Sequence, residues 1–254
     1  MLNDAMVIAI DAYKSANRRK GVVYFLLVIA ILQVAVFAKY EDISLNIADK
    51  MLKDVGLAMI AIVGALTALT TAFQIPTELR NKTAMTIFSK PLGREAYLLG
   101  KLIGISMLVL RNMIVVTIGI VFVFILKKDI LVDGFTASLF QSFWLSFIGS
   151  IDLIALTLIL CLFFSEGIVV ISSVCIFIVG NATFMYANSG AGMAKIAGIL
   201  KYIIPNFFLF DIKGEVAAGL TVSSSYLMYS TAYGLAYAIM AATLALIVFK
   251  QRDL

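Results

Sequence analysis

The sequence predicts an all-α integral membrane protein with six transmembrane helices, an N-terminal interfacial amphipathic helix and a short outer helical hairpin before the last span. Hydrophobic residues make up 62% of the chain and charged residues only 14%, against about 45–50% and about 25% in soluble domains. Six apolar segments have the roughly 17 or more residues that a helix needs to cross the hydrocarbon. Because no soluble core could bury so much apolar surface, lipid must surround much of this single transmembrane domain, residues 1–254.

The first 20 residues predict an amphipathic helix. Charged side chains occupy one side, and apolar residues recur on the other at steps of three and four: Leu2, Ala5, Met6, Ala9, Ile10, Tyr13 and Ala16. Beside a membrane span, such a helix is expected to lie along the cytoplasmic interface over residues 2–20. A short solvated lead-in is the alternative.

The six predicted spans comprise residues 22–38, 55–75, 98–126, 137–164, 167–186 and 229–249. Two connections between them are long. The cytoplasmic one holds a charged segment, residues 77–97, and the outer one covers residues 187–228. The outer connection has short apolar runs on both sides of Pro205. These runs predict short helices that dip into the outer interface or pack on the spans, because backbone at membrane depth must be helical or covered by protein.

The distribution of charge predicts that both termini are cytoplasmic. With the N-terminus inside, the inner segments hold 11 Lys and Arg against six Asp and Glu, whereas the outer segments hold eight of each. Cytoplasmic ends of spans are enriched in Lys and Arg, and Arg18, Arg19 and Lys20 directly precede the first span. Six spans then return the C-terminus to the same side.

Arg111 and Asp152 are charged residues inside predicted spans. Each costs about 2.5–3.5 kcal/mol at the centre of a membrane helix. Arg111 follows Lys101 by ten residues, so it lies roughly 15 Å into the membrane, and antiparallel neighbouring helices would bring Asp152 to a similar depth. We therefore expect the two to pair. The pair would either fix the register of the helices or serve a substrate path or gate.

Small residues accompany both charges. Gly100, Gly104 and Arg111 share one helical face, which would let another helix approach closely. On the next span a small and polar stripe passes close to Asp152 and comprises Ser142, Ser146, Gly149, Ser150 and Thr157.

The composition gives no support to catalysis by this chain. There is no histidine, the usual general base and metal ligand, and no phosphate-binding G-x-x-x-x-G-K-[ST] motif. Cys161 and Cys175 lie in apolar runs and are expected to be small buried hydrophobic residues. We expect no enzymatic activity, no catalytic residue, no metal or cofactor in this chain, and no nucleic-acid binding.

The cytoplasmic stretch from Glu78 to Gly104 is typical of a docking element. It predicts a short amphipathic helix that ends before Pro91, because the residue preceding proline disfavours helical geometry. Apolar residues on the cytoplasmic side (Leu79, Met85, Ile87, Phe88) need a cover, either a partner protein or the lipid interface.

This stretch resembles the cytoplasmic loop of ABC-2 type transporter permeases. The shared pattern is an acidic residue, a Thr and an apolar pair, followed by Lys90-Pro91-Leu92-x-Arg94-x-x-Tyr97-Leu98-Leu99-Gly100-Lys101. It is closest to the branch of multi-copper enzyme maturation permeases. The six-span plan, the N-terminal helix and the outer segment around Pro205-Asn206 are also similar to that family, whereas Arg111 departs from its pattern.

The resemblance implies a permease subunit of an ATP-binding cassette transporter, an exporter in the prokaryotic inner membrane. It implies a second permease copy, two separate ATPase subunits that bind ATP and Mg, and room for an extracytoplasmic accessory protein. The residues that would couple to the ATPase are Glu78, Lys82, Thr83, Met85, Ile87, Phe88, Pro91 and Arg94. Two alternatives remain open: an ion-coupled secondary transporter with Arg111 and Asp152 as its coupling site, and a non-transporting membrane anchor for a partner complex.

Overall fold

A computed structural model describes residues 2–18, 28, 31, 45–69, 71–80, 93–126, 135–187, 204–217 and 220–251. Within these ranges the chain is helical and contains no β-strand. The α-helices are α1 (Leu2–Asn17), α2 (Leu45–Ala68), α3 (Thr71–Arg80), α4 (Arg94–Leu126), α5 (Phe135–Phe163), α6 (Glu166–Ala187), α7 (Lys213–Ala217) and α8 (Ser224–Gln251). A short 3₁₀ helix covers Phe207–Phe210.

Three of the described helices are long and apolar enough to cross a membrane: Arg94–Phe122, Ala137–Phe163 and Ser224–Gln251. They coincide with the predicted spans 98–126, 137–164 and 229–249. A shorter apolar helix, Glu166–Ala182, overlaps the range predicted for the fifth span, residues 167–186. The described part of the chain is therefore all-helical, and its three long apolar helices are those of a membrane protein. The first predicted span, residues 22–38, lies outside the described residues except for Val28 and Ile31.

The second predicted span, residues 55–75, is not one continuous helix. Helix α2 begins at Leu45 and ends at Ala68, and a separate helix, α3, runs from Thr71 to Arg80 with Pro76 inside it. The interruption follows Ala68, whereas Pro76 and the carbonyl four residues before it both lie within α3, so the proline does not explain the interruption. The predicted segment 55–75 is therefore divided between the second part of α2 and the first part of α3.

Helix α5 occupies the centre of the bundle, in contact with α2, α3, α4, α6, α7 and α8. Helix α8 lies beside it in the same direction, because Trp144 Nε1 donates to Thr231 Oγ1 at 3.0 Å and Ile148 meets Gly234 further along. Small residues of α8 at three- and four-residue steps are buried in this contact: Ser230, Gly234, Ala238, Ala241 and Ala245. Such residues allow close approach of membrane helices.

Helix α1 packs lengthwise against the first half of α4. A Cβ atom at Gly100 would lie 2.7 Å from Ile8 Cβ, and one at Gly104 would collide with the carbonyl oxygen of Ala9. The prediction that these glycines admit another helix is confirmed, and the helix is α1. Its buried face consists of small residues and one isoleucine: Ala5, Ile8, Ala9, Ala12 and Ala16.

The apolar side of α1 has two parts in the structure. Its alanines are buried against the glycine surface of α4, whereas Met6 and Ile10 are each 49% exposed. Exposed apolar side chains of this kind are available for contact with lipid. The position of α1 at the membrane interface stays a prediction.

The end of the outer connection descends into the bundle. Phe207 and Phe210 are buried, and their rings fill the space left by glycines: Phe210 Cδ2 lies 3.0 Å from a Cβ built at Gly149, and Phe207 Cδ2 lies 2.6 Å from one at Gly180. The 3₁₀ helix and α7 are the described parts of the predicted outer hairpin. Residues 188–203 and 218–219 lie outside the described residues.

Candidate functional site

Two of the eight residues expected to couple to an ATPase are described, and they lie near the two ends of the predicted coupling segment, residues 77–97. Glu78 lies near the end of α3, and Arg94 begins α4. Residues 81–92 lie outside the described residues, and with them Lys82, Thr83, Met85, Ile87, Phe88 and Pro91. The structure therefore shows how the two ends of this segment are attached to the bundle.

Glu78 is held on α4 by two side chains. Lys101 Nζ lies 2.6 Å from Glu78 Oε1, and the Tyr97 hydroxyl donates to Glu78 Oε2 at 2.8 Å. Tyr97 and Lys101 are four residues apart on α4, so they share one helical face. The Lys101 side chain is only 1% exposed and that of Glu78 is 21% exposed. This charge-assisted pair fixes the end of α3 to the beginning of α4.

Next to Glu78, α3 is also tied to α6. The Thr77 hydroxyl donates to Glu166 Oε1 at 2.7 Å, and Glu166 is the first residue of α6. An acidic side chain in the first turn of a helix interacts favourably with the partial positive charge of that end. The end of α3 therefore contacts two neighbouring helices.

Arg94 joins the beginning of α4 to the end of α8. Its Nη1 donates to the carbonyl oxygens of Phe249 at 3.2 Å and Lys250 at 2.8 Å. The last carbonyls of a helix have no partner within it, so a guanidinium there satisfies them and meets the negative end of the helix dipole. The adjacent Glu95 pairs with Lys250, and the rings of Tyr97 and Phe249 stack with their centroids 5.8 Å apart.

The candidate coupling site therefore consists of Thr77, Glu78, Arg94, Tyr97 and Lys101. Its contacts join α3, α4, α6 and α8 at one end of the bundle. A displacement of residues 81–92 would act on α3 through Glu78 and on α4 through Arg94. The arrangement is suited to transmit motion. Among the described residues no three acidic or cysteine side chains gather as metal ligands.

The structure does not bring Arg111 and Asp152 together as the predicted ion pair. Arg111 donates from Nη1 to Asn17 Oδ1 of α1, and from Nε and Nη2 to Asn112 Oδ1 at 3.1 and 2.7 Å. Its guanidinium also lies 6.0 Å from the ring centroid of Tyr13. The expectation that Arg111 and Asp152 lie at a similar depth in the membrane was therefore not enough to predict an ion pair between them. The approach of α1 supplies Arg111 with neutral acceptors, and the sequence did not place α1 there.

Asp152 is 0% exposed. Neither of its carboxylate oxygens has a hydrogen-bond partner among the described residues. The small polar stripe on the same helix has a different surrounding: Ser146, Gly149 and Ser150 line a cavity of about 60 Å³ together with Asn181 and Lys213. Asp152 is not part of that lining.

Sequence reasoning missed the partners that hold the charged residues. Lys101 and Tyr97 were quoted as part of a motif, but their contact with Glu78 was not foreseen. The available signal was Lys101 itself, a cation in an otherwise apolar run seven residues into α4. Such a residue needs a nearby acid, and Glu78 precedes it across a proline-containing connection.

No protein-family model matches this chain, and no curated protein matches it. The resemblance to ABC-2 type permeases stays a prediction that rests on the residues quoted for it.

Proposed function

We propose that this chain is the membrane-spanning permease subunit of an ABC-2 type transporter, an exporter of the prokaryotic inner membrane. It would work as a dimer with two separate ATPase subunits, which bind ATP and Mg. The observation that carries the proposal is the attachment of both ends of residues 81–92 to the bundle, through Glu78 on one side and Arg94 on the other.

The buried ion pair makes α3 and α4 move as one unit at this end. If Glu78 moved away, the buried Lys101 would lose its counter-ion, and an uncompensated buried charge costs about 3–5 kcal/mol. A force that displaces residues 81–92 therefore moves α4 together with α3, as long as the ion pair between Glu78 and Lys101 is intact. A loop that served as a simple connection would not require this anchor.

Contacts at Glu78 and Arg94 would also transmit a displacement of residues 81–92 to the other helices of the bundle. Thr77 connects α3 to α6 through Glu166, and Arg94 connects α4 to the end of α8. Binding of ATP in a partner subunit would favour one arrangement of these helices over another, and hydrolysis would reverse that preference. Alternating access to the two sides of the membrane follows from this shift of populations.

The test is retention of the ATPase by a variant in the coupling segment. The tagged full-length chain is purified in mild detergent with the proteins that bind it, and ATP hydrolysis is measured after transfer to lipid nanodiscs. We expect Phe88→Glu to insert into the membrane normally but to lose the ATPase activity. A carboxylate on the predicted docking face cannot enter an apolar cleft without a desolvation penalty.

Phe164→Glu is the matched control. Phe164 is 45% exposed in the connection between α5 and α6, two residues before Glu166 at the same end of the bundle. This variant should retain the hydrolysing subunit in the wild-type ratio. Full ATPase activity in the Phe88→Glu preparation would overturn the proposal. Absence of ATP hydrolysis from all three preparations (wild type, Phe88→Glu and Phe164→Glu) would also overturn it.

A further inference from the structure

Among the described residues, none supplies a hydrogen bond to the side chain of Asp152. Asp152 lies on α5 and is fully buried. An isolated carboxylate in an apolar medium costs far more than a neutral carboxylic acid, and a buried acid without a counter-charge takes up a proton instead. The neutral acid needs neither a cation nor several donors.

In the part of the chain that the structure describes, the side chain of Tyr237, on α8, interacts electrostatically with Asp152. Charges on the other helices around α5 are engaged elsewhere: Arg111 of α4 by asparagines, Lys101 of α4 by Glu78 of α3, Glu166 of α6 by Thr77, and Lys213 of α7 by Asp211. On α2, Gly64 meets Ser150, so Lys53 and Asp54 lie roughly 15 Å further along the helix axis. None of these charges is placed to hold an ionised Asp152.

The packing near Asp152 is that of two helices in close contact. Ala155, one turn further along α5, forms a buried cluster with Ala238 and Ala241 of α8, against which Ile151 and Tyr237 pack. Small side chains on both helices leave little room for water. Leu102 of α4 covers the same cluster. Separation of α5 and α8 would therefore admit water, the usual source of stabilisation for a carboxylate, to Asp152.

We propose that Asp152 is a proton-binding site at the α5–α8 interface, protonated while the two helices are packed and able to release its proton when they part. Separation of α5 and α8 is then linked to the release of one proton, and pH shifts the balance between the packed and open arrangements. This inference rests on the packing of α5 and α8 and does not depend on the proposed ATPase partner.

A hydrophobic carbodiimide tests the protonated state. In an apolar site the acid transfers its proton to a carbodiimide nitrogen, and its oxygen adds to the central carbon. The O-acylisourea then rearranges to a stable N-acylurea, with all atoms retained. In the full-length protein in lipid nanodiscs at neutral pH, we expect dicyclohexylcarbodiimide to modify Asp152, located by peptide mass spectrometry. Glu78, whose carboxylate is paired with the ammonium group of Lys101, should remain unmodified.

Infrared difference spectroscopy supplies an independent measurement on the same preparation. Wild-type protein should show the C=O stretch of a protonated carboxyl that is missing in Asp152→Asn, an isosteric neutral variant. Asp152→Asn should also keep the thermal stability of the wild type, because it replaces one neutral side chain by another. Absence of both the adduct and the infrared band, or marked destabilisation of Asp152→Asn, would overturn the inference.

The link to helix separation is tested with one buried cysteine. Ser230 is fully buried on the face of α8 that includes Gly234, and Ser230→Cys is nearly isosteric. With Cys161 and Cys175 replaced by alanine, its reaction rate with a water-soluble maleimide is measured against pH. At each pH, this rate is divided by the rate measured for the same protein carrying Asp152→Asn. The pH dependence of the thiol itself is common to both proteins and cancels in the ratio. We expect this ratio to rise with pH, by about tenfold per unit at most; a constant ratio would refute the link.

Discussion

Lys101 illustrates how a single buried charge can organise one end of a membrane helix bundle. Its ammonium group is out of reach of water and depends on Glu78, whose other oxygen accepts from Tyr97. The pair is not a source of large net stability, because desolvation of both groups offsets most of their attraction. The pair matters for stability when one partner is removed, because the remaining charge then stays buried without a counter-ion, at a cost in folding free energy.

We therefore predict that Glu78→Ala lowers the free energy of unfolding by about 3–5 kcal/mol, because it leaves Lys101 buried without a counter-ion. The double variant Glu78→Leu with Lys101→Met should recover most of this loss, since apolar side chains replace both charges. The measurement is equilibrium unfolding in mixed detergent micelles. The wild type, the single variants Glu78→Leu and Lys101→Met, and the double variant are analysed as a double-mutant cycle.

The matched control is the pair of Glu95 and Lys250, whose side chains are 36% and 51% exposed. Glu95→Gln should change the free energy of unfolding by less than about 1 kcal/mol, as is usual for surface ion pairs. Equal losses at Glu78 and Glu95 would contradict the distinction between a buried and an exposed anchor.

At the scale of elements, close approach of helices is governed by small residues. The backbone of α1 reaches the backbone of α4 at Gly104, and α8 reaches α5 at Gly234. Inside a bilayer the hydrophobic effect does not drive helices together, because lipid tails are as apolar as the side chains. Van der Waals contact between closely packed helices holds them together instead. The pairing of α1 with α4 also brings Asn17 to Arg111.

Gly104→Ala should weaken the contact between α1 and α4. Its Cβ would collide with the carbonyl of Ala9 and lie 2.9 Å from Ala12 Cβ, and overpacking of this kind costs about 1–3 kcal/mol. The expected result is a lower melting temperature and faster tryptic cleavage after Lys14, as α1 leaves the bundle more often.

Gly167→Ala is the control for this substitution. A Cβ at Gly167 would have no neighbour within 4 Å, and alanine is the better helix former by about 1 kcal/mol. This variant should melt at or above the wild-type temperature. If both alanine variants behaved alike, the glycine contact between α1 and α4 would have no energetic importance.

The elements show where prediction from sequence succeeds and where it stops. Length and hydropathy are local properties, so the long apolar helices α4, α5 and α8 could be predicted to within a few residues. The break between α2 and α3 could not, because neither glycine nor proline occurs between Ala65 and Ile75 to mark it. The partner of a given helix face was also beyond reach: the glycine face of α4 was recognised, but nothing local identified α1 as its neighbour. For the same reason the acceptors of Arg111 were missed.

For the whole molecule, the charged anchors and the outer connection lie at opposite ends of the bundle. Helix α8 has 28 residues and is about 42 Å long, more than the roughly 30 Å of the hydrocarbon. Its last turn meets Arg94, whereas near its first turn the Tyr226 hydroxyl donates to the Leu209 carbonyl at 2.9 Å. The end that holds Arg94, Lys101 and Lys250 is the one that the distribution of Lys and Arg assigns to the cytoplasm.

This arrangement predicts opposite accessibility for two exposed residues, Gln251 at the end of α8 and Glu215 in α7. In protein without native cysteines, Gln251→Cys should react with a membrane-impermeant maleimide only in inverted membrane vesicles, because a cytoplasmic thiol is shielded in intact cells. Glu215→Cys should react in intact cells. Reaction of both cysteines from one side would mean that α8 does not cross the bilayer. The reverse pattern would place the candidate coupling site outside the cell, where no ATPase subunit could reach it.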